Sequence, residues 1–196
     1  MQDYQEIIKK RLSKARYEHS LGVAETARDL ALFNQIDPFK AYLTGILHDY
    51  AKELTNQELI ELGKSYNLIS DEVELYEPEL LHGPVGAVLI REELGINDIE
   101  ILNAIRYHTT GCKEMDKLSQ IIYIADYIEP NRKFPGVDCI RDTAYTDLTK
   151  GVLLGLNSTI RYLLEIEQPL HKLTIEARNG LLLKQCNSEK VKMSRP

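Results

Sequence analysis

The sequence predicts an all-α protein. Apolar residues recur at intervals of three and four along nearly every segment, and no segment alternates apolar and polar residues as a half-buried strand does. The residues between these segments are typical helix caps, first-turn prolines and terminating glycines. A chain of 196 residues is long enough to enclose one continuous apolar core. We therefore expect a single domain over residues 1–185.

Four helices are predicted in the first half of the chain, two of them with marked starts. Asp37 is the expected N-cap, and Pro38 the first-turn proline, of the third helix. Thr55 and Glu58 form a capping-box pattern before the fourth helix. The two helices that precede them are predicted over Gln2–Ser13 and Ser20–Phe33.

The second half predicts further helices that end in a short polar tail. Pro84 opens a helix that ends at Gly95, and Asn97 caps a segment that runs to His108. Residues 186–196 lack periodic apolar side chains, so we expect a frayed C-terminal tail there. The remaining predicted elements are a helix over Asp116–Ile128, a turn-rich segment over 129–138, and helices over Thr146–Ile166 and Thr174–Lys184.

Composition excludes several classes of protein. A formal net charge of −6 leaves no broad basic surface for a nucleic acid duplex. No apolar run approaches the roughly 20 residues that a membrane span needs, and no secretory signal pattern opens the sequence. The three cysteines are widely spaced and lack a CxxC pair, which argues against disulfides and thiolate metal sites. We expect a cytoplasmic protein.

Ionisable residues interrupt the apolar faces of the predicted helices. In "YLTGILHDYAKEL", two polar residues stand side by side at the centre of an apolar helix. Other histidines and aspartates continue apolar stripes at helical offsets in four further segments, which points their side chains inward. The six residues that share this property are His19, His48, Asp49, His82, His108 and Asp126.

Six inward-pointing ionisable residues predict a metal site. Any one of them alone is better explained as a hydrogen-bonded core histidine or an ion-paired aspartate. Together they are not, because each buried ionisable group costs free energy unless it is paired, and the apolar faces carry no comparable set of Lys or Arg. The fifth histidine, His171, has no carboxylate neighbour of this kind in the sequence, so we interpret it as structural.

The types and the number of the candidate ligands indicate which metals would bind and how many ions. Imidazoles and carboxylates without sulfur suit iron, manganese, cobalt or zinc. Six ligands exceed what one catalytic metal with open positions uses, so they predict two divalent ions bridged by Asp49 and a water. We expect a metal-bridging hydroxide to attack a phosphorus of a polyphosphate chain.

Two of the predicted ligands are adjacent, and their order along the chain resembles a known signature. His19, the pair His48-Asp49, and Asp126 are similar to the H…HD…D pattern of the HD-domain metal-dependent phosphohydrolases. The resemblance implies the helical bundle of the HD domain as the fold.

Five longer blocks resemble a narrower group, the YqeK family of bacterial symmetrical bis(5'-nucleosyl)-tetraphosphatases. They span about Arg16 to Arg141 and include the two further histidines, His82 and His108. This resemblance implies a di-iron centre that hydrolyses diadenosine tetraphosphate (Ap4A) to two molecules of ADP. The blocks are "RYEHSLGVAETA", "GILHDYAKEL", "LLHGPVGAVL", "AIRYHTTG" and "YIADYIEPNR".

A polyphosphate substrate needs cations and hydrogen-bond donors near the metals. Lys52 lies one helical turn after His48, and we expect it to bind substrate and to act with Asp49 in catalysis. Arg106, Thr109 and Arg132 are candidate substrate contacts. The alternative for the two arginines and for Lys52 is a solvated surface charge, which is the commoner case, and for Thr109 it is simple helix termination. In "EPNR", Glu129 is a candidate partner for a ligand or for Arg132.

Other functions remain open at this point. The same metal site suits an HD phosphohydrolase of other nucleotides, a di-iron oxygenase, or a nucleotide sensor with a structural metal. The sequence does not decide the native metal or the choice between adenosine and guanosine nucleotides. Apolar faces on the C-terminal helices suit either a homodimer or closure of the core.

Overall fold

The structure is a bundle of helices. The computed structural model describes the backbone of residues 4–193 and side chains as far as Cys186, and every regular element in that range is helical. The α-helices are α1 (Tyr4–Arg11), α2 (Lys14–Phe33), α3 (Pro38–Leu47), α4 (Asn56–Ser65), α5 (Val73–Tyr76), α6 (His82–Leu94), α7 (Ile99–Arg106), α8 (Lys117–Ile128), α9 (Val137–Thr146), α10 (Leu148–Glu165) and α11 (Lys172–Met193). A short 3-10 helix occupies Pro78–Leu81.

The all-α prediction is confirmed, and three of the marked helix ends lie where the sequence places them. The Asp37 side chain accepts hydrogen bonds from two backbone N–H groups at the start of α3. Thr55 and Glu58 form both hydrogen bonds of a capping box at the start of α4. Gly95 ends α6 in the left-handed conformation, with φ of 68°. These local signals depend on neighbouring residues only, which is why the sequence reveals them.

Several predicted boundaries are wrong. α2 begins at Lys14 instead of Ser20, because its polar first turns carry no apolar pattern. The N-cap of α7 is Asp98 instead of Asn97. The largest error is the missed helix α9, since the turn signal of Gly136 (φ 89°) concealed a helix that begins at the next residue. As a result α10 begins at Leu148 instead of Thr146.

The C-terminal helix also differs from the prediction. α11 runs to Met193, beyond the predicted end at Lys184. The predicted tail at 186–196 therefore has helical backbone over most of its length, and residues 194–196 lie outside the described part of the chain. The single-domain boundary at residue 185 stays a prediction.

α8 is the central helix of the bundle. All its residues from Leu118 to Ala125 are buried, and it packs against α2, α3, α7, α9 and α10. A second, smaller apolar cluster forms around Leu59, Leu81 and Val85 between α4 and α6. The functional candidates lie where the ends of α3 and α7 and the start of α6 meet α2 and α8. No helix in the described part of the chain is long and apolar enough to cross a membrane.

Candidate metal centre

The six predicted ligands come together in one cluster. His19 and Asp126 project from within α2 and α8, whereas the other four lie at helix ends. His48 is the C-cap of α3 and precedes Asp49, and His82 is the first residue of α6. The last member, His108, follows the C-cap of α7. Helix ends suit a cluster of side chains from separate segments, because the segments approach one another closely there.

Asp49 lies at the centre of the cluster, with its two carboxylate oxygens facing different histidines. Oδ2 lies 3.5 Å from Nε2 of His48 and 3.9 Å from Nε2 of His19. Oδ1 lies 3.2 Å from Nε2 of His82 and 3.7 Å from Nε2 of His108. The carboxylate of Asp49 is 3% exposed, so its partners are these neighbours instead of bulk water. It therefore joins two halves of the cluster.

Asp126 completes the half that contains His19 and His48. Its Oδ1 lies 3.0 Å from Nε2 of His19 and 4.0 Å from Nε2 of His48. In the other half, Nε2 of His82 and Nε2 of His108 are 2.8 Å apart. Two groups of three residues each bring one ligand atom per residue to within 4.8 Å of the other two. The first group is His19, His48 and Asp126, and the second is His48, Asp49 and His108.

Three of the four rings are oriented by the chain segment that precedes them. In each, Nδ1 lies within hydrogen-bond distance of the backbone carbonyl three residues earlier, at 2.7 Å for both His48 and His108. A carbonyl oxygen only accepts hydrogen bonds, so Nδ1 carries the proton and Nε2 presents a lone pair. The pairs are His48 with Gly45, His82 with Glu79 and His108 with Ile105.

His19 differs, because its Nδ1 lies 3.1 Å from Oε1 of the buried Glu129. This confirms Glu129 as a partner of a candidate ligand. Nε2 of His19 and of His48 are both buried without a hydrogen bond, although Asp126 is close to His19 in distance. Buried nitrogens that aim lone pairs at a common point with carboxylates fit a divalent cation.

The charge state of the cluster also suits a cation. Burial lowers the pKa of His48, and it lowers the pKa of His108 to about 3. Burial alone would raise the pKa of Asp49, but His48 and His82 hold it well below its ordinary value. The pKa of Asp126 is lowered in the same way, against burial, by its contact with His19. Neutral imidazoles and ionised carboxylates are the forms that bind metal, so His48, His108 and the two aspartates are in the binding form. His19 differs, because burial would lower its pKa but its contacts with Asp126 and Glu129 raise it.

Cations lie beside both carboxylates. Arg132, a predicted substrate contact, places Nη2 2.6 Å from Oδ1 of Asp126. Arg16 places Nη1 3.3 Å from Oδ2 of Asp49, a contact that the sequence analysis missed. The available signal was spacing, because Arg16 lies three residues before His19 and hence on the same face of α2. The backbone N–H of Lys52 donates to the carbonyl of Asp49, whereas its Nζ lies 2.9 Å from Oε2 of Glu79.

The other two predicted substrate contacts have different surroundings. The hydroxyl of Thr109 lies 3.2 Å from Nε2 of His108, at the edge of the cluster. The guanidinium of Arg106 lies over the Tyr107 ring, 5.5 Å from its centroid, and its described contacts include none of the six candidate ligands. The substrate roles of both residues stay predictions.

His171 lies outside the cluster and is buried, and its structural role stays a prediction. It has no carboxylate neighbour of this kind in the sequence, but in space Oε1 of Glu74 lies 3.2 Å from its Nε2. The spacing of almost 100 residues between them hides this pair from sequence patterns. The pair ties the start of α11 to α5.

Comparison with known proteins identifies the family. The family model of the HD domain matches residues 16–131, which include all six candidate ligands. This chain belongs to the HD-domain family. The cluster is accordingly a candidate metal-binding site of a metal-dependent hydrolase.

Individual relatives support the narrower resemblance. The chain is 46% identical, over 92% of its length and 96% of the relative's, to the symmetrical bis(5'-nucleosyl)-tetraphosphatase of Halalkalibacterium halodurans. It is 41% identical to the enzyme of the same name from Bacillus subtilis, over 89% of this chain and 94% of that one. A crystal structure of a protein from Clostridium acetobutylicum, described as a predicted HD superfamily hydrolase involved in NAD metabolism, superposes with a TM-score of 0.89. The two chains are 41% identical, and the superposition covers 94% of this chain and 99% of the chain from Clostridium acetobutylicum.

Proposed function

We propose that this protein is a metal-dependent hydrolase that cleaves Ap4A symmetrically to two molecules of ADP. One observation carries the proposal. A chain that resembles named symmetrical tetraphosphatases over nearly its whole length holds a buried cluster whose central carboxylate, Asp49, divides its oxygens between two histidine groups. This arrangement favours a catalytic metal site that hydrolyses a phosphoanhydride, and it argues against a purely structural metal site.

The division at Asp49 supports a site for two divalent ions. His19, His48 and Asp126 would hold one ion, and His82 with His108 would hold the other, with Asp49 shared between them. Iron is the metal that the family resemblance favours, and manganese, cobalt and zinc suit the same donors. Two bound ions would lower the pKa of a shared water and offset charge on a phosphoryl oxygen.

The chain's own cations would hold the polyphosphate across this centre. Arg16 and Lys52 lie on the side of Asp49 and Glu79, and Arg132 lies on the side of Asp126. Each phosphate of the substrate is negatively charged. Cations on both sides of the cluster would therefore hold the polyphosphate across it and neutralise the charge of the departing ADP. The Thr109 hydroxyl, at the edge of the cluster, would donate a hydrogen bond to a phosphate.

Two further points are part of the proposal. The protein would act in the cytoplasm, and it would form a homodimer through apolar side chains of its C-terminal helices. The exposed Leu164, Ile175 and Leu183 support the second point.

Product analysis tests the proposed function. The purified protein, loaded anaerobically with iron(II) or with manganese(II), is incubated with Ap4A, and the nucleotides are separated by ion-exchange chromatography. We expect ADP as the sole product, with heavy oxygen from labelled water in one of each two ADP molecules. AMP with ATP would contradict symmetrical cleavage, and a requirement for dioxygen would favour an oxygenase.

A further inference from the structure

A groove beside the metal centre is lined on one side by residues of α10. Thr109 and Arg132 line its inner end, next to the candidate ligands. One wall consists of residues of α5 and the segment that follows it, and the other consists of residues of α10. The groove has a volume of about 1160 Å³, which exceeds the usual range for a pocket that binds one small ligand.

Two tyrosines offer aromatic faces in this groove. Tyr76 on α5 is 63% exposed and Tyr162 on α10 is 59% exposed. Within the described part of the chain, neither makes a side-chain hydrogen bond or ring contact. Two other aromatic residues of the groove, Tyr127 and Phe134, pack edge to face on each other with centroids 5.1 Å apart. The first pair is therefore available for stacking, whereas the second forms part of the groove's frame.

The polar groups of the groove match the remaining parts of a nucleotide. Arg132 lies at the inner end, where phosphates would pass, and Arg161 lines the wall formed by α10. Within the described residues, Arg161 makes no ion pair, so its charge is available to a phosphate. The carboxylates of Glu77 and Glu165 also line the groove, and carboxylates are common acceptors for ribose hydroxyls.

We propose that this groove binds one nucleoside of the substrate, with its base stacked on Tyr162 and Tyr76 and its phosphates directed past Arg132 to the metal centre. The inference rests on the proposed function and extends it, because it assigns residues that make the enzyme prefer a nucleotide over bare polyphosphate. Stacking of a base on an aromatic side chain contributes about 1–3 kcal/mol, so the loss of one ring lowers affinity about 5- to 150-fold.

The test compares four variants of the metal-loaded protein. Tyr162→Ala and Tyr76→Ala each remove a stacking face, Tyr162→Phe keeps the ring, and Phe39→Ala removes a 69% exposed ring from α3, outside the groove. We measure kcat and KM for Ap4A, and the dissociation constant of ADP by calorimetry. In either alanine variant of the groove, KM and the ADP dissociation constant rise at least 5-fold while kcat changes less than 2-fold. Tyr162→Phe and Phe39→Ala match the unmodified protein.

The two readouts separate this inference from the proposed function. If the unmodified protein yields ADP from Ap4A and both tyrosine-to-alanine variants keep its KM and its ADP affinity, the groove is not the nucleoside site, although the function stands. If the protein releases no ADP from Ap4A but binds ADP in a manner that depends on Tyr162, the function fails and the groove remains a nucleotide site. A fall in kcat without a rise in KM would also overturn the stacking role.

Discussion

Nδ1 of His19 lies 3.1 Å from Oε1 of Glu129, so His19 meets a carboxylate where the other three candidate ligands meet backbone carbonyls. The carboxylate is fixed in turn, since its Oε2 accepts a 2.7 Å hydrogen bond from the backbone N–H of Asn131. Gly22 makes room for it, because a Cβ there would lie 2.8 Å from Oε2. A carboxylate behind a histidine increases the basicity of the ring and fixes its orientation.

Replacement Glu129→Gln should therefore weaken metal binding. The amide keeps the size of the side chain but removes its charge, and loss of such a partner lowers metal affinity about 10- to 100-fold. Competition with a fluorescent chelator measures the affinity for manganese(II). Glu25→Gln, an exposed change on α2, the helix of His19, serves as the matched control and should leave the affinity unchanged. Equal affinities in the two variants would show that Glu129 does not tune His19.

Asp49 is the residue whose loss should affect both halves of the cluster. Asp49→Ala removes the only carboxylate that, among the described residues, contacts all four histidines, so we expect hydrolysis of Ap4A to be abolished and bound metal to fall for both ions. His82→Ala should abolish hydrolysis but retain about half of the metal, because the group of His19, His48 and Asp126 is intact. Elemental analysis gives the metal per chain, and circular dichroism checks the fold. Retained turnover in Asp49→Ala would remove the metal mechanism.

The sequence could predict most of the cluster because its members lie on regular helices or at marked helix ends. His19 and Asp126 are on the buried faces of α2 and α8, where periodicity alone orients a side chain. His48 and Asp49 follow the well-capped α3. The sequence could not show which side chains from distant segments contact one another. The pair of Glu74 and His171 and the contact of Arg16 with Asp49 depend on packing between distant segments.

The missed helix α9 has a local cause. Val137, Ile140 and Ala144 are buried at helical spacing, so its periodic signal exists. It was hidden because Pro135 and Gly136 immediately before it are typical of a turn, and a left-handed glycine at an N-cap is less common than Ser, Thr or Asp.

Arg16 should contribute to substrate binding. Its guanidinium lies beside Asp49 and remains 40% exposed, so it faces both the cluster and the solvent from which substrate enters. Arg16→Ala should lower kcat/KM for Ap4A about 10- to 150-fold, which is the effect of about 1.5–3 kcal/mol for a hydrogen bond to a charged group. Arg28→Ala, a change at an exposed ion pair on the same helix, is the control. If the two variants have the same kcat/KM, Arg16 does not bind the phosphates.

The buried pair of Glu74 and His171 should make stability depend on pH. Burial alone would raise the pKa of Glu74, but His171 and the backbone N–H groups of Ser70 and Asp71 lower it below 4.5. A carboxyl whose pKa is lower in the folded state than in the unfolded state stabilises the folded protein above pH 4.5. This contribution is lost as the pH falls through the folded-state pKa. We expect Glu74→Gln to be less stable than the unmodified protein at pH 7, with the difference shrinking as the pH is lowered below 4.5. Urea denaturation of metal-free protein at several pH values measures this, and a constant difference would contradict it.

Gly45 couples the packing of α2 and α3 to the metal centre. A Cβ at this position would lie 2.7 Å from Cα of Ala24, and the carbonyl of Gly45 accepts the hydrogen bond that orients His48. Gly45→Ala must therefore push the helices apart, and we expect it to lower the free energy of unfolding by about 1–3 kcal/mol and to weaken metal binding. Gly86→Ala is the matched control on α6, because its Cβ would have no neighbour nearer than 3.6 Å and alanine is the better helix former. Urea denaturation measures both variants. Equal stability of Gly45→Ala and the unmodified protein would contradict the steric role of Gly45 between α2 and α3.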